Sequence, residues 1–150
     1  MSNKQSKQNK SSPSWLKWVI IGGIGLLVLA IGAGFLLSQP GENVKPLPAE
    51  ISVDDAHKMY EEGAFLLDVR TQEEWNEYHA PGTTLIPLDQ LSSRIAEVPT
   101  DQTIVVVCRS GNRSQQGRDV LKQAGYEQVT SMAGGLKSWR SQGYPIVSGP

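Results

Sequence analysis

The chain has 150 residues, 14 Lys and Arg against 15 Asp and Glu, and a formal net charge of -1, a length at which one domain is expected. With Lys4, Lys7, Lys10 and Lys17 set apart, the rest carries 10 basic against 15 acidic residues, which excludes nucleic acid as a general partner because phosphate binding needs a basic face. The single cysteine excludes an internal disulfide and a cysteine-rich zinc site, and no metal or cofactor is expected.

Residues 1–14 form a basic polar tail, and residues 15–37 read as a transmembrane helix. Trp18 to Leu37 is a run of 20 uncharged residues, which at about 1.5 Å per residue reaches across a bilayer core of about 30 Å. Trp15, Lys17 and Trp18 sit where rings and an ammonium meet the headgroups. Five glycines in the span would be costly in a water-facing helix and are common in membrane helices. A cleaved signal peptide has an apolar core of about 7–15 residues ahead of a small-residue cleavage site. Here the core is longer, and Ser38-Gln39-Pro40 follows it. Four lysines precede the span and only Lys45 closely follows it, so the expected orientation is N-terminus in the cytoplasm and domain outside, as a single-pass membrane protein.

Residues 38–49 hold three prolines and read as a linker, with the soluble domain over residues 50–148. Ser52 with Asp55 has the spacing of a capping box that opens a helix stopped by Gly63. Ala64 to Val69 is a buried strand candidate. Thr71 with Glu74 is a second capping box, followed by Trp75 and Tyr78 at helical spacing. Leu85 and Ile86 suggest a short strand, and Leu88, Leu91 and Ile95 are spaced for one face of a helix. Thr103 to Val107 is a continuous β-branched run, typical of strands buried on both faces. Arg113 to Ala124 is a helix stopped by Gly125; Val129 marks a last strand, and Leu136 with Trp139 a last helix. The alternation predicts an α/β fold with a parallel sheet of about five strands and helices on both faces, binding its ligand at the carboxyl ends of the strands.

Cys108 stands at such an end, between TIVVV and the segment Arg109-Ser110-Gly111-Asn112-Arg113-Ser114 that leads into a helix. A glycine-containing strand-to-helix loop can turn several N–H groups inward, and the helix N-terminus and two arginines add positive charge. Each feature favours an anion there, and the thiolate is the nucleophilic form of cysteine. A buried structural cysteine is the plainer alternative, but a core cysteine has no need of so polar and basic a flank. His79 reads as a turn-holding residue rather than a general base, His57 as a surface helix residue, and Trp75 and Trp139 as core.

The segment Cys108 to Ser114 resembles the active-site loop of rhodanese-like domains, the single-domain sulfurtransferases. The resemblance extends to Leu67-Asp68-Val69-Arg70, to Glu77-Tyr78-His79-Ala80-Pro81-Gly82 with Ile86-Pro87-Leu88, and to Met132-Ala133-Gly134-Gly135-Leu136, Trp139 and Gly143-Tyr144-Pro145. The chain departs from the family at Tyr78-His79-Ala80, where Gly-His-Ile is common, and at Thr83-Thr84-Leu85, where Ala-x-Asn is frequent. The resemblance implies a cycle in which Cys108 takes a sulfane sulfur from thiosulfate or a persulfide. It would then pass that sulfur to cyanide, a thiol or a protein acceptor. It further implies that the amides of Arg109, Ser110, Gly111, Asn112, Arg113 and Ser114 hold the persulfide, with Arg109 binding the anionic donor and Arg113 supporting the loop. Asp68 and Arg70 would order the site from a neighbouring strand. Two rivals stand beside this reading. One is a redox-sensing or docking module without turnover. The other is a phosphatase, against which the loop is one residue short: Arg113 follows Cys108 after four residues and Ser114 stands where the phosphatase arginine would fall.

Overall fold

The computed structural model describes residues 46–149. The expected tail, the transmembrane helix and most of the linker lie outside the described residues, among which no helix is long and apolar enough to cross a membrane.

Five strands form one sheet: β1 (Glu50–Ile51), β2 (Phe65–Asp68), β3 (Thr84–Leu85), β4 (Ile104–Val107) and β5 (Val129–Met132). Their order is β1-β5-β4-β2-β3, and every pairing is parallel. Among the described residues three α-helices connect strands, α1 (Val53–Glu61), α2 (Gln72–Glu77) and α3 (Asn112–Gln123), and α4 (Gly135–Ser141) follows β5. Side chains alternate across the strands, so Val105 and Val107 pack with Val53 and Ala56 of α1 and Leu136 and Trp139 of α4. Ile104, Val106 and Cys108 point the other way and pack with Leu91, Val98 and Leu121. All four residues of β4 are buried, and each such Val or Ile stabilises the fold by about 1.5–3 kcal/mol relative to exposure. A Cβ on Gly117 would stand 3.0 Å from Val106 Cγ1 and 3.2 Å from Val69 Cγ1, so α3 lies tightly on the sheet behind the cysteine loop.

The helix starts follow the expected caps. Ser52 Oγ accepts the Asp55 N–H at 3.1 Å, and Thr71 with Glu74 makes both bonds of its capping box. Gly63 and Gly125 take positive φ just past the ends of α1 and α3, as expected of C-terminal glycines.

Two expectations need correction, the helix after Leu88 and the surface place of His57, and two features go beyond the sequence reading. The segment with Leu88, Leu91 and Ile95 is a chain of turns ending in a short 3-10 helix, Ile95–Glu97, rather than an α-helix. Ser93 Oγ donates to the Gln90 carbonyl at 2.8 Å and ties a tight turn that competes with helical bonding. The apolar spacing still works as read, since Leu91 is fully buried, with Leu88 and Ile95 against the same cluster. The strand β1 has only two residues and no readable period. The domain also begins before Glu50, because Thr130 Oγ1 donates to the Pro48 carbonyl at 2.8 Å and the Ser131 N–H to that of Ala49 at 3.1 Å. At the other end the Gly149 N–H donates to the Asn76 carbonyl at 3.0 Å. Finally, His57 is no free surface residue: it stacks on the Tyr144 ring at 3.8 Å and lies 5.1 Å from the Trp139 ring.

Candidate active site

The strand β4 delivers Cys108 from its C-terminal end, and α3 begins four residues later at Asn112. Between them the chain must reverse sharply, which Gly111 achieves with φ +107°. A side chain there would be strained in conformation and would crowd the Gly134 amide at 3.2 Å. The Gly111 N–H donates to Cys108 Sγ at 3.1 Å, at the base of the loop. The thiol is 1% exposed.

Three of the loop's carbonyls are tied down by the rest of the domain. Cys108 O accepts the Leu136 N–H at 2.7 Å and Arg109 O accepts the Lys137 N–H at 3.1 Å, both from the first turn of α4. Gly111 O accepts the buried Ser114 hydroxyl at 2.6 Å. The N–H groups of Arg109, Ser110, Asn112, Arg113 and Ser114 donate to no protein acceptor among the described residues. Amides without a protein acceptor, beside the amide on the sulfur and at the start of a helix, are the kind of groups from which anion-binding concavities are built. Gly135 makes the clamp from α4 possible, since a Cβ there would run into Cys108 O, Arg109 C and Ser110 N.

Charge is arranged around this cradle in two ways. Arg109 is exposed and stands 3.9 Å from Glu74, leaving its guanidinium at the rim. Arg113 is half-buried and forms a two-pronged bridge to Glu74, with bonds of 2.7 and 2.8 Å. That bridge holds the Glu74 carboxyl below the usual carboxylate range, chiefly through the hydrogen bonds from Arg113. It raises the Arg113 guanidinium in turn. Glu74 is absent from the sequence-predicted site. Its place in the Thr71 capping box accounted for it fully, so no separate signal marked its reach to a residue 39 positions on.

Asp68 and Arg70 are both buried and face each other, with Arg70 Nη2 2.6 Å from Asp68 Oδ2. Burial pushes the Asp68 carboxyl up, against the pull of Arg70. Arg70 also donates to the carbonyls of Glu74 at 3.0 Å and Tyr78 at 2.8 Å, fixing the C-terminal part of α2. Neither residue hydrogen-bonds the cysteine loop. They hold α2, α2 carries Glu74, and Glu74 holds Arg113. Tyr78 lies between Arg70 and Arg140, whose guanidinium carbons stand 5.3 and 5.0 Å from its ring centre. His79 is buried, stacked on Trp75 at 3.7 Å and bonded through Nδ1 to the Trp75 carbonyl, which suits the turn-holding role read for it. Trp75 and Trp139 are core residues, as expected.

A cysteine at the end of a parallel strand, in a loop of free amides backed by a glycine-started helix, has close parallels. A sulfurtransferase of Allochromatium vinosum is 37% identical over 58% of this chain and 81% of its own. The thiosulfate sulfurtransferase GlpE of Pseudomonas savastanoi is 34% identical over 63% of this chain and 89% of its own. The crystal structure of a rhodanese-related protein from Thermoplasma volcanium superposes with TM-score 0.62 at 28% identity, covering 67% of this chain and 98% of that one. The family model of the rhodanese-like domain matches residues 52–142, from the cap of α1 to the end of α4, and the chain belongs to that family.

Proposed function

We propose that this chain is a membrane-anchored sulfurtransferase that carries a sulfane sulfur on Cys108. The observation that carries the reading is the Gly111 N–H on Cys108 Sγ at 3.1 Å, amid amides that have no protein acceptor. The Cys108 thiolate attacks the outer sulfur of thiosulfate, the S–S bond of the donor breaks, and sulfite leaves with the electron pair. The product is Cys108–S–S⁻, whose terminal sulfur lies about 2 Å beyond Sγ. In this reading the charge falls among the amides of the loop from Arg109 to Ser114, which stabilise it without having to reorient. Arg109 draws in the anionic donor, and Arg113, neutralised by Glu74, holds the loop in shape. A persulfide donor enters the same cycle with a thiolate leaving in place of sulfite. Cyanide, a small thiol or a protein thiol then removes the sulfur and restores the Cys108 thiolate.

The anchor reading rests on the 20 uncharged residues from Trp18 to Leu37, and the orientation on the lysines ahead of them. In that topology the domain works outside the cytoplasm.

The test is the intact mass of the full chain in detergent micelles after thiosulfate, and again after cyanide. A gain of one sulfur, removed by cyanide and absent in Cys108→Ser, is expected. No adduct from thiosulfate, a persulfide or a polysulfide would overturn sulfur transfer and leave a thiol sensor or docking module. A reporter fused to either end of the chain tests the orientation, and a cytoplasmic signal from the C-terminal fusion would overturn it.

A further inference from the structure

Next to the cysteine loop lies a groove of about 320 Å³ that the sulfur-transfer cycle leaves unused. Val69, Pro87 and Leu88 give it an apolar wall, and Thr71, Asp89 and Arg113 add polar groups. Its position follows from the sheet. The Val69 N–H donates to Val107 O at 3.0 Å, one residue before Cys108, and Arg113 belongs to the cysteine loop itself. Its floor is fixed, since the Leu88 N–H donates to Val69 O at 3.3 Å and the Gln90 N–H to Pro87 O at 2.8 Å.

Size and charge together select an occupant. Thiosulfate and cyanide are far smaller than this space, which is at the low end for sites that hold organic molecules, about 300–1,000 Å³. The groove is too small to be a protein interface. Of the three charged side chains that line it, Arg70 is paired with Asp68 and Arg113 with Glu74. Asp89 is exposed, with no ion pair and no side-chain hydrogen bond among the described residues. The uncompensated charge of the groove is therefore negative, opposite to that of the rim at Arg109.

We propose that this groove is the acceptor subsite for a small thiol that carries an ammonium group. Asp89 takes the ammonium, and Val69, Pro87 and Leu88 take the methylenes between it and the sulfur. The inference rests on the sulfurtransferase reading. In the step itself the acceptor thiolate attacks the outer sulfur of Cys108–S–S⁻. The S–S bond to Cys108 breaks, Cys108 leaves as thiolate, and the product is the acceptor's persulfide anion, with no net oxidation.

The test uses the full chain in detergent micelles, loaded with thiosulfate. Discharge is timed with cysteamine and with 3-mercaptopropionate, each normalised to cyanide discharge of the same variant. Because the same two thiols are compared in every variant, their intrinsic reactivities cancel. Asp89→Asn should lower the cysteamine-to-mercaptopropionate ratio of kcat/KM about two- to fivefold, the size of an exposed ion pair. Asp89→Lys should lower it further, and added salt should shrink the difference. If the persulfide forms and cyanide removes it, but the ratio is the same in all three proteins, the subsite assignment alone falls. If no persulfide forms, the sulfurtransferase reading falls and the subsite with it.

Discussion

The Leu136 N–H donates to the Cys108 carbonyl at 2.7 Å, so an amide of the first turn of α4 is spent on the backbone of the cysteine itself. With the Lys137 amide on Arg109 O, this ties down two of the loop's carbonyls and leaves its N–H groups free to face an anion. The helix end that backs the loop thus decides which backbone groups the sulfur meets.

Gly135 is the residue this arrangement tolerates least. Its φ is +59°, and a methyl group would strike the backbone from Cys108 to Ser110. Gly135→Ala should slow persulfide loading from thiosulfate at least about tenfold, a loss of about 1.4 kcal/mol in transition-state stabilisation. Stopped-flow loading, with circular dichroism to confirm that the sheet persists, measures it. An unchanged rate would mean the loop can shift without harm.

The bridge from Glu74 to Arg113 joins two elements far apart in sequence. Glu74→Gln keeps the size but removes the charge, and leaves Arg113 half-buried without its partner. The cost should be about 1–2 kcal/mol, since charge-assisted bonds are worth about 1.5–3 kcal/mol and partial exposure screens them. Urea unfolding reads the stability, and a raised KM for thiosulfate would report a loosened loop.

The same bridge sets a pH dependence of known sign. The folded carboxyl of Glu74 sits below its ordinary value of 4.5, held there by Arg113. Its contribution is therefore fully present above about 4.5 and drains away as pH falls through the lower folded value. The difference in unfolding midpoint between the natural chain and Glu74→Gln should be steady from neutral pH down to about 5 and shrink below about 4. A difference that stays constant to low pH would mean the carboxylate is not what stabilises.

Asp68 and Arg70 form a buried pair, for which removing one partner costs more than removing both. Asp68→Ala should destabilise the domain by about 3–5 kcal/mol by leaving the Arg70 charge uncompensated. The double variant Asp68→Ala with Arg70→Leu should recover a substantial part. If the two changes simply add in urea titrations, the pair acts as two independent packing residues.

What the sequence reveals and what it hides divide along physical lines. β4 and α3 are legible because a continuous β-branched run and a glycine stop are local signals, and Cys108 is legible because its polar, basic flank is out of place in a core. Glu74 is hidden because one local role, the capping box, leaves no residue of pattern to explain. His57 is misread because the ring that covers it, Tyr144, arrives from the far end of the domain. The turns after Leu88 keep their apolar spacing while a serine hydroxyl changes the backbone path. Tyr126 then pins that path from another element, donating to the Ile95 and Val98 carbonyls at 3.0 and 2.9 Å.

A sheet whose strands all run one way has a direction, and this chain's entry point is fixed with respect to it. Pro48 and Ala49 are fastened beside the start of β5 by Thr130, Ser131 and Arg118, the last at 2.9 Å from the Ala49 carbonyl. Cys108 leaves β4 at the other end. Cargo joined ahead of Pro48, whether a bead, an electrode or a fused enzyme, is held at the end of the sheet remote from the thiol. Copies immobilised in this way would present their reactive ends outward.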